Sequence, residues 1–294
     1  MHKLPVDLKG SAYLIFFSFL MASNQIAIKL GNQGFDPVFM AGARSILGLL
    51  ALLAWMYCRS LLVFPFKTNF LPGLLLGVLF AMEFWSLFKS LDYTSVARAS
   101  IIFYSMPVWL ALLAHFVLPS ERLNLGRLIG LILAMIGVFI TVSSPNTFPS
   151  EKYFLGDLLA LLAAFLWAFI ALTVRLSRLA NERAETQLFF QLAISAPILL
   201  LLACFSPTFT RDPSPAHFFS LAYQGICIAS FGFLLWFWLV KKYSASGVAS
   251  FAFLTPAFSV LLANIILDEA IELSVFLSLI LVSIGLYLIN RTHR

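Results

Sequence analysis

The stretch Tyr93–Glu121, Y-T-S-V-A-R-A-S-I-I-F-Y-S-M-P-V-W-L-A-L-L-A-H-F-V-L-P-S-E, reads as an apolar helix with a proline near its middle and an acid just past its end. The chain uses the same pattern again at Tyr243–Glu269, Y-S-A-S-G-V-A-S-F-A-F-L-T-P-A-F-S-V-L-L-A-N-I-I-L-D-E. Both copies open on a tyrosine and small polar residues, carry a central proline (Pro107, Pro256) and close on a glutamate (Glu121, Glu269). The spacing is 14 residues on either side of Pro107 and 13 on either side of Pro256. A motif repeated at about half the chain length implies two structural halves, and matched proline-interrupted apolar helices point to a transporter's binding site.

Composition sets the solvent. The 294 residues are 61% hydrophobic and 11% charged, too apolar for polar side chains to cover a water-soluble core. The apolar runs are about twenty residues long and do not alternate, which selects membrane helices over a barrel of short two-period strands. Ten spans are expected, at about 8–31, 37–58, 70–89, 95–118, 123–143, 155–178, 184–205, 216–240, 246–267 and 272–290. The fold class is therefore all-α and integral to the membrane. The first span follows Lys3 and Lys9 but is long and has no small-residue cleavage site, so it reads as a retained helix. Cys58, Cys204 and Cys227 lie in or at the ends of apolar runs with no framework spacing, and read as packing residues rather than disulfides or metal ligands. No cofactor is implied. The net charge of +6 fits basic loops against anionic lipid better than a nucleic-acid partner.

Basic residues set the orientation. If the N-terminus lies on one face, only Lys29, Lys89, Arg98, Lys152 and Arg211 of the 19 lysines and arginines lie on the other, with Arg44 inside a span. That bias places both termini in the cytoplasm. Five spans per half is an odd number, so the second half enters the membrane inverted. The expected halves are residues 1–145 and 146–294, joined by the polar linker Ser143–Tyr153, and their inversion is the architecture of alternating access.

Five plus five spans, the opening A-I-K-L-G-N-Q-G-F-D-P (Ala27–Pro37), Arg44 early in the second span and the twice-used proline helix together resemble the EamA-type permeases of the drug/metabolite transporter superfamily. The resemblance covers essentially the whole chain. It implies a bacterial inner-membrane carrier, often an exporter of amino acids or other small metabolites. It also implies a central cavity lined by the first, third and fourth helices of each half. The second half departs from the first, with Phe190 near where Arg44 would recur and Phe233 near where Glu83 would, so a charged site would be asymmetric.

Glu83, in M-E-F-W of the third span, is the sharpest single residue, because an ionisable group inside a span is costly and marks function by default. Each of Glu83 and Arg44 is placed about seven residues from the outer end of its span, hence roughly 10 Å down, with Asn24 at a similar level. A structural lock between helices and a substrate or proton site both require that matched depth. Glu83 is also expected to be the only deep carboxylate. Pro107 and Pro256 are expected to free carbonyls near Phe103 and Ala252 and to flank the cavity, with Trp85, Tyr104 and Trp167 as walls for an organic solute. Packing is the plainer reading for each ring in a chain that is 15% aromatic.

His115, Lys29 and Lys89 are expected to snorkel near span ends, and Gln191, Gln224 and Asn264 to bond between helices. Small-residue ridges (Gly73, Gly77, Ala81; Gly126, Gly130, Ala134; Ala160, Ala164, Ala168) allow close helix approach, within the chain or in a homodimer through the fifth and tenth spans. The sequence has no H-E-x-x-H, no C-x-x-C and no nucleotide-binding G-x-x-x-x-G-K-[ST], so a secondary-active carrier leads over an enzyme. A non-catalytic membrane scaffold and a facilitative channel remain alternatives.

Overall fold

A computed structural model describes residues 4–61, 66–118, 123–145, 151–243, 248, 251 and 253–290. The helices are α1 (Leu8–Gly34), α2 (Pro37–Cys58), α3 (Phe66–Tyr93), α4 (Val96–Phe103), α5 (Met106–Val117), α6 (Leu125–Ser143), α7 (Tyr153–Leu176) and α8 (Ala184–Ala203). Then come α9 (Pro215–Ala222), a π-helical stretch (Tyr223–Gly232), α10 (Phe233–Lys242), α11 (Leu254–Leu267) and α12 (Leu273–Asn290). Among the described residues eight helical segments are long and apolar enough to cross a membrane, the fourth running from Val96 to Val117 and the eighth from Pro215 to Lys242. Two shorter apolar helices, Leu254–Leu267 and Leu273–Ile289, stand where the last two expected spans fall. Part of the ninth, together with Glu121, Ala252 and the middle of the linker, lies outside the described residues.

Local chemistry sets the helix starts. Asp36 accepts from the N–H groups of Val38 (2.9 Å) and Phe39 (3.1 Å), with Pro37 in the first turn where its missing N–H costs nothing. Asp7, Ser95 and Asn124 cap α1, α4 and α6 in the same way. The fourth span does not bend at its proline as expected. It breaks at Tyr104–Ser105, and Pro107 falls in the first turn of α5. Pro256 likewise sits in the first turn of α11, so each proline begins a helical segment rather than kinking a continuous one.

Helices pack in pairs: α6 on α12, α3 on α7 and α8, α2 on α8 and the π-helical stretch, α1 on α9 and α11, and α4 and α5 on α7. The small-residue ridges are used inside the chain. A side chain at Gly73 or Gly77 would strike Phe190 or Ile194 of α8, and one at Gly130 would meet the Gly285 carbonyl of α12. Ala160, Ala164 and Ala168 are fully buried. The glycine face between the fifth and tenth spans is thus already occupied by the chain itself. The three cysteines are exposed, not packed as expected, and large apolar residues such as Leu71, Phe139 and Ile265 stand on the outside, as a lipid-facing surface requires.

Polar ties gather at the end of the bundle that carries the α1–α2 loop. Asp36 N–H donates to the Phe209 carbonyl (3.0 Å) and Arg211 N–H to that of Gly34 (2.8 Å). The Arg211 guanidinium grips Asp92 through two bonds of 2.7 and 3.0 Å, which holds it even more firmly protonated than a free arginine. At the other end Asn69 donates to Glu182 (2.7 Å), and the Tyr243 hydroxyl donates to Asp7 (3.0 Å).

Candidate functional site

Two opposite charges lie inside the bundle without conventional partners. Arg44 of α2 is 0% exposed and Glu83 of α3 is 3% exposed. The Arg44 guanidinium stacks 4.1 Å from the centre of the Phe84 ring and 5.9 Å from that of Phe88, a cation–π contact on both rings. Its Nε, Nη1 and Nη2 have no hydrogen-bond partner among the described residues, nor has Glu83 Oε2. Among the described residues the two do not close an ion pair, although each lies within the other's electrostatic reach. Because α3 continues to Tyr93, Glu83 is ten residues from that helix end, about 15 Å rather than the expected 10 Å. Arg44 is seven residues from Pro37, as expected.

Other buried groups also lack partners among the described residues, including the amide oxygens of Asn24 and Gln25 of α1 and of Gln224 in the π-helical stretch. Tyr104, at the break between α4 and α5, lies close to the Gln25 side chain and within electrostatic range of Glu83. Its ring meets Trp167 of α7 edge-on at 5.9 Å, while Phe103 stacks on Trp167 at 4.9 Å. The α4–α5 break therefore carries the polar cluster over to an aromatic wall. Pro107 stands three residues past Tyr104, and Pro256 is buried on α11, which packs on both α1 and α4. Trp85 packs against the main apolar core. Phe233 meets Phe80, one turn below Glu83, at 6.0 Å, so the second half supplies a ring where the first supplies a charge.

Other polar residues have structural employment. Lys29 does not snorkel; its ammonium donates to the carbonyls of Leu91 (2.8 Å) and Thr94 (2.9 Å), tying α1 to the end of α3. Asn32 does the same to Phe88 (2.9 Å). His115 Nδ1 accepts from the Leu123 N–H (3.1 Å). Gln224 donates to Ser220 (3.1 Å) and Asn264 to the Glu269 carbonyl (2.9 Å), each within its own span or at its end rather than between helices. Gln191 is buried in α8, and Lys89 faces Asp36 at 3.9 Å.

Two features escaped the sequence. Arg98 and Asp157 form a buried ion pair, 1% and 0% exposed at the side chain, closing at 2.5 Å with a second bond from Nε at 3.2 Å. Thr94 donates to the same carboxylate (2.8 Å), and Arg98 also donates to the Ser144 carbonyl (3.2 Å). Glu83 is thus not the only buried carboxylate. Glu269, recognised only as a repeated acid, caps the start of α4.

A helical bundle with membrane-length apolar helices and unpaired opposite charges in its interior has the form of a membrane transporter. The model of the EamA-like transporter family matches residues 8–143 and again 154–291, and the chain belongs to that family. It is 28% identical to the uncharacterized transporter YvbV of Bacillus subtilis, over 99% of this chain and 94% of that one. It is 27% identical to an uncharacterized transporter of Archaeoglobus fulgidus, over 92% and 93%. A solved protein structure at 22% identity superimposes with a TM-score of 0.68 over 95% of this chain and 97% of that one, a likeness of fold.

Proposed function

We propose that the protein is a secondary-active exporter of a small organic solute with both charges, such as an amino acid, and that it works by alternating access. The observation that carries this reading is the burial of Arg44 and Glu83 near one another without partners. A solute carboxylate would satisfy the three guanidinium nitrogens, and a solute ammonium would satisfy Glu83 with the amide oxygens of Asn24 and Gln25. Tyr104, Trp85 and Trp167 would shelter its apolar part between the breaks at Pro107 and Pro256. Desolvated opposite charges gain full interaction only when such a ligand arrives.

Ten spans in two inverted halves, residues 1–145 and 146–294, underlie the mechanism. The helix pairings support this: advancing each span by five turns the third-on-sixth contact into eighth-on-first, and returns second-on-seventh and fifth-on-tenth to themselves. The two successive family matches agree. The basic residues favour cytoplasmic termini in a bacterial inner membrane, with the α1–α2 loop end outward. The Lys29, Arg98, Arg211 and Glu269 ties cross that end, which supports reading this arrangement as one shut to the outside. Glu83 would carry the coupling proton or, as the carboxylate, engage the solute cation, with Arg44 alternately pairing with it and releasing it.

Proteoliposomes loaded with radiolabelled zwitterionic amino acids test this. Saturable efflux driven by a proton gradient is expected, and Glu83→Gln should still exchange label but no longer concentrate it. Non-saturating flux would favour a channel, and absence of flux for every solute a scaffold. Uphill transport by Glu83→Gln at the normal rate would remove Glu83 from the coupling role.

A further inference from the structure

If Glu83 takes up a proton, something must deliver it through about 15 Å of helix bundle. Toward the start of α3 the helix itself offers no relay. Residues 73–82, G-L-L-L-G-V-L-F-A-M, contain no side chain able to accept and pass on a proton. Toward its end the helix is different. At 100° per residue, Glu83, Ser86 and Ser90 fall within an arc of about 60°, and Thr94, just past the helix end with its N–H still on the Ser90 carbonyl (2.9 Å), continues one polar stripe. All four are buried.

The serine hydroxyls on this stripe are free. Elsewhere in the bundle Ser45, Thr141, Ser144, Ser259 and Ser283 each turn back to the carbonyl four residues earlier, at 2.6 to 3.3 Å. That is the usual satisfaction of a hydroxyl on a membrane helix. Among the described residues Ser86 and Ser90 have no partner, and neither does Ser100 on α4. At the top of the stripe Thr94 donates to Asp157, which is paired with Arg98. The rise between successive members is about 4.5–6 Å, the reach of one hydroxyl, one water and the next hydroxyl. Gly156 of α7 packs directly against Thr94, and Ala160 and Ala164 of the same helix are fully buried.

We propose that the Ser86–Ser90–Thr94 stripe of α3 is a proton route between the Asp157–Arg98 cluster at the α1–α2 loop end and Glu83. This rests on Glu83 being the coupling carboxylate. Each oxygen along the route accepts one proton and releases its own, so the hydroxyls end as they began and only Glu83 changes, from carboxylate to neutral acid. The titratable and charged groups around the route include Arg44 from α2, Tyr104 from the α4–α5 break, Arg98 from α4, Asp157 from α7 and Lys29 from α1, with Lys89 and the Arg211-paired Asp92 on α3 itself and Glu269 beside Lys29. Arg98 is neutralised by Asp157 and Lys29 is bound to backbone carbonyls. Neither blocks the stripe with a bare charge.

Proton delivery can be read without a known solute. In protein reconstituted in lipid nanodiscs, the infrared carbonyl band of protonated Glu83, identified by its loss in Glu83→Gln, is followed after a pH jump. Ser86→Ala/Ser90→Ala removes only two oxygens and keeps the helix. It is expected to leave the midpoint of the band unchanged and to slow its approach at least tenfold, while Ser86→Thr/Ser90→Thr restores the wild-type rate. A merely structural role would shift the midpoint or the yield, not the rate alone. An unchanged rate in the alanine variant overturns the route and leaves the carrier reading standing. A wild-type Glu83 band that does not titrate at all overturns both.

Discussion

The Glu269 carboxylate caps the helix that begins at Val96: Oε1 accepts from the Val96 N–H at 2.8 Å and Oε2 from the Ala97 N–H at 3.1 Å. Its aim is built locally. Asp268 takes a left-handed conformation (φ 53°) that ends α11, and Asn264 holds the Glu269 carbonyl. An anion on free N–H groups at a helix start satisfies the donors and the helix dipole together. The bond therefore joins the end of the second proline helix to the start of the first.

Burial pushes the Glu269 carboxyl above the usual carboxylate range, against the two N–H bonds and the Lys29 charge, which pull it down. The neutral acid is thus populated at higher pH than in an exposed glutamate. Once protonated, one oxygen becomes a donor and can no longer accept from the backbone. Because the folded value is raised, the net stability this group contributes should rise as pH falls through it; Glu269→Gln removes that dependence and, with one acceptor oxygen in place of two, should loosen the cap. Losing about 1–2 kcal/mol of capping corresponds to roughly five- to thirtyfold faster amide exchange across Val96–Ile102, corrected for intrinsic rates. Equal protection in the variant and the wild type would show that the cap does not hold α4.

The Arg98–Asp157 pair makes a different prediction. Asp157→Asn strands a fully buried guanidinium and should cost about 3–5 kcal/mol in unfolding experiments in detergent. Arg98→Leu/Asp157→Leu removes both charges and should recover most of that loss. A double variant no more stable than the single one would mean that the pair contributes more than mutual neutralisation.

Rarity made some of this legible in the sequence and geometry hid the rest. Arg44 and Glu83 stood out because a charge far from a span end is hard to explain otherwise, and Pro107 and Pro256 because they recur. Arg98 and Asp157 did not, because each lies a few residues inside a span where counting places it at the water boundary. Their pairing needs α4 beside α7, 59 residues apart in the chain. Glu83 lies farther from its helix end than counting gives because apolar composition stops near Phe88 while the helix runs on to Tyr93 through Lys89 and Asp92. Glu269 was visible as a repeated acid, yet which backbone it met depended on the fold.

Arg44 gives the sharpest separation of structure from function. A guanidinium with all three nitrogens unsatisfied carries a desolvation penalty of several kcal/mol, and stacking on Phe84 returns about 2 kcal/mol of it. Methionine has a similar reach, packs on the same ring and needs no hydrogen bonds. Arg44→Met is therefore expected to raise the thermal unfolding temperature of the purified protein while abolishing solute-dependent stabilisation and flux, as expected where a site is held ready at a cost in stability. Arg44→Lys keeps the charge but loses the planar fork that binds a carboxylate through two nitrogens, so it should fold normally and bind solute at least tenfold more weakly. If Arg44→Met is instead strongly destabilised, Arg44 is a structural member of the α2–α3 interface and the carboxylate site lies elsewhere.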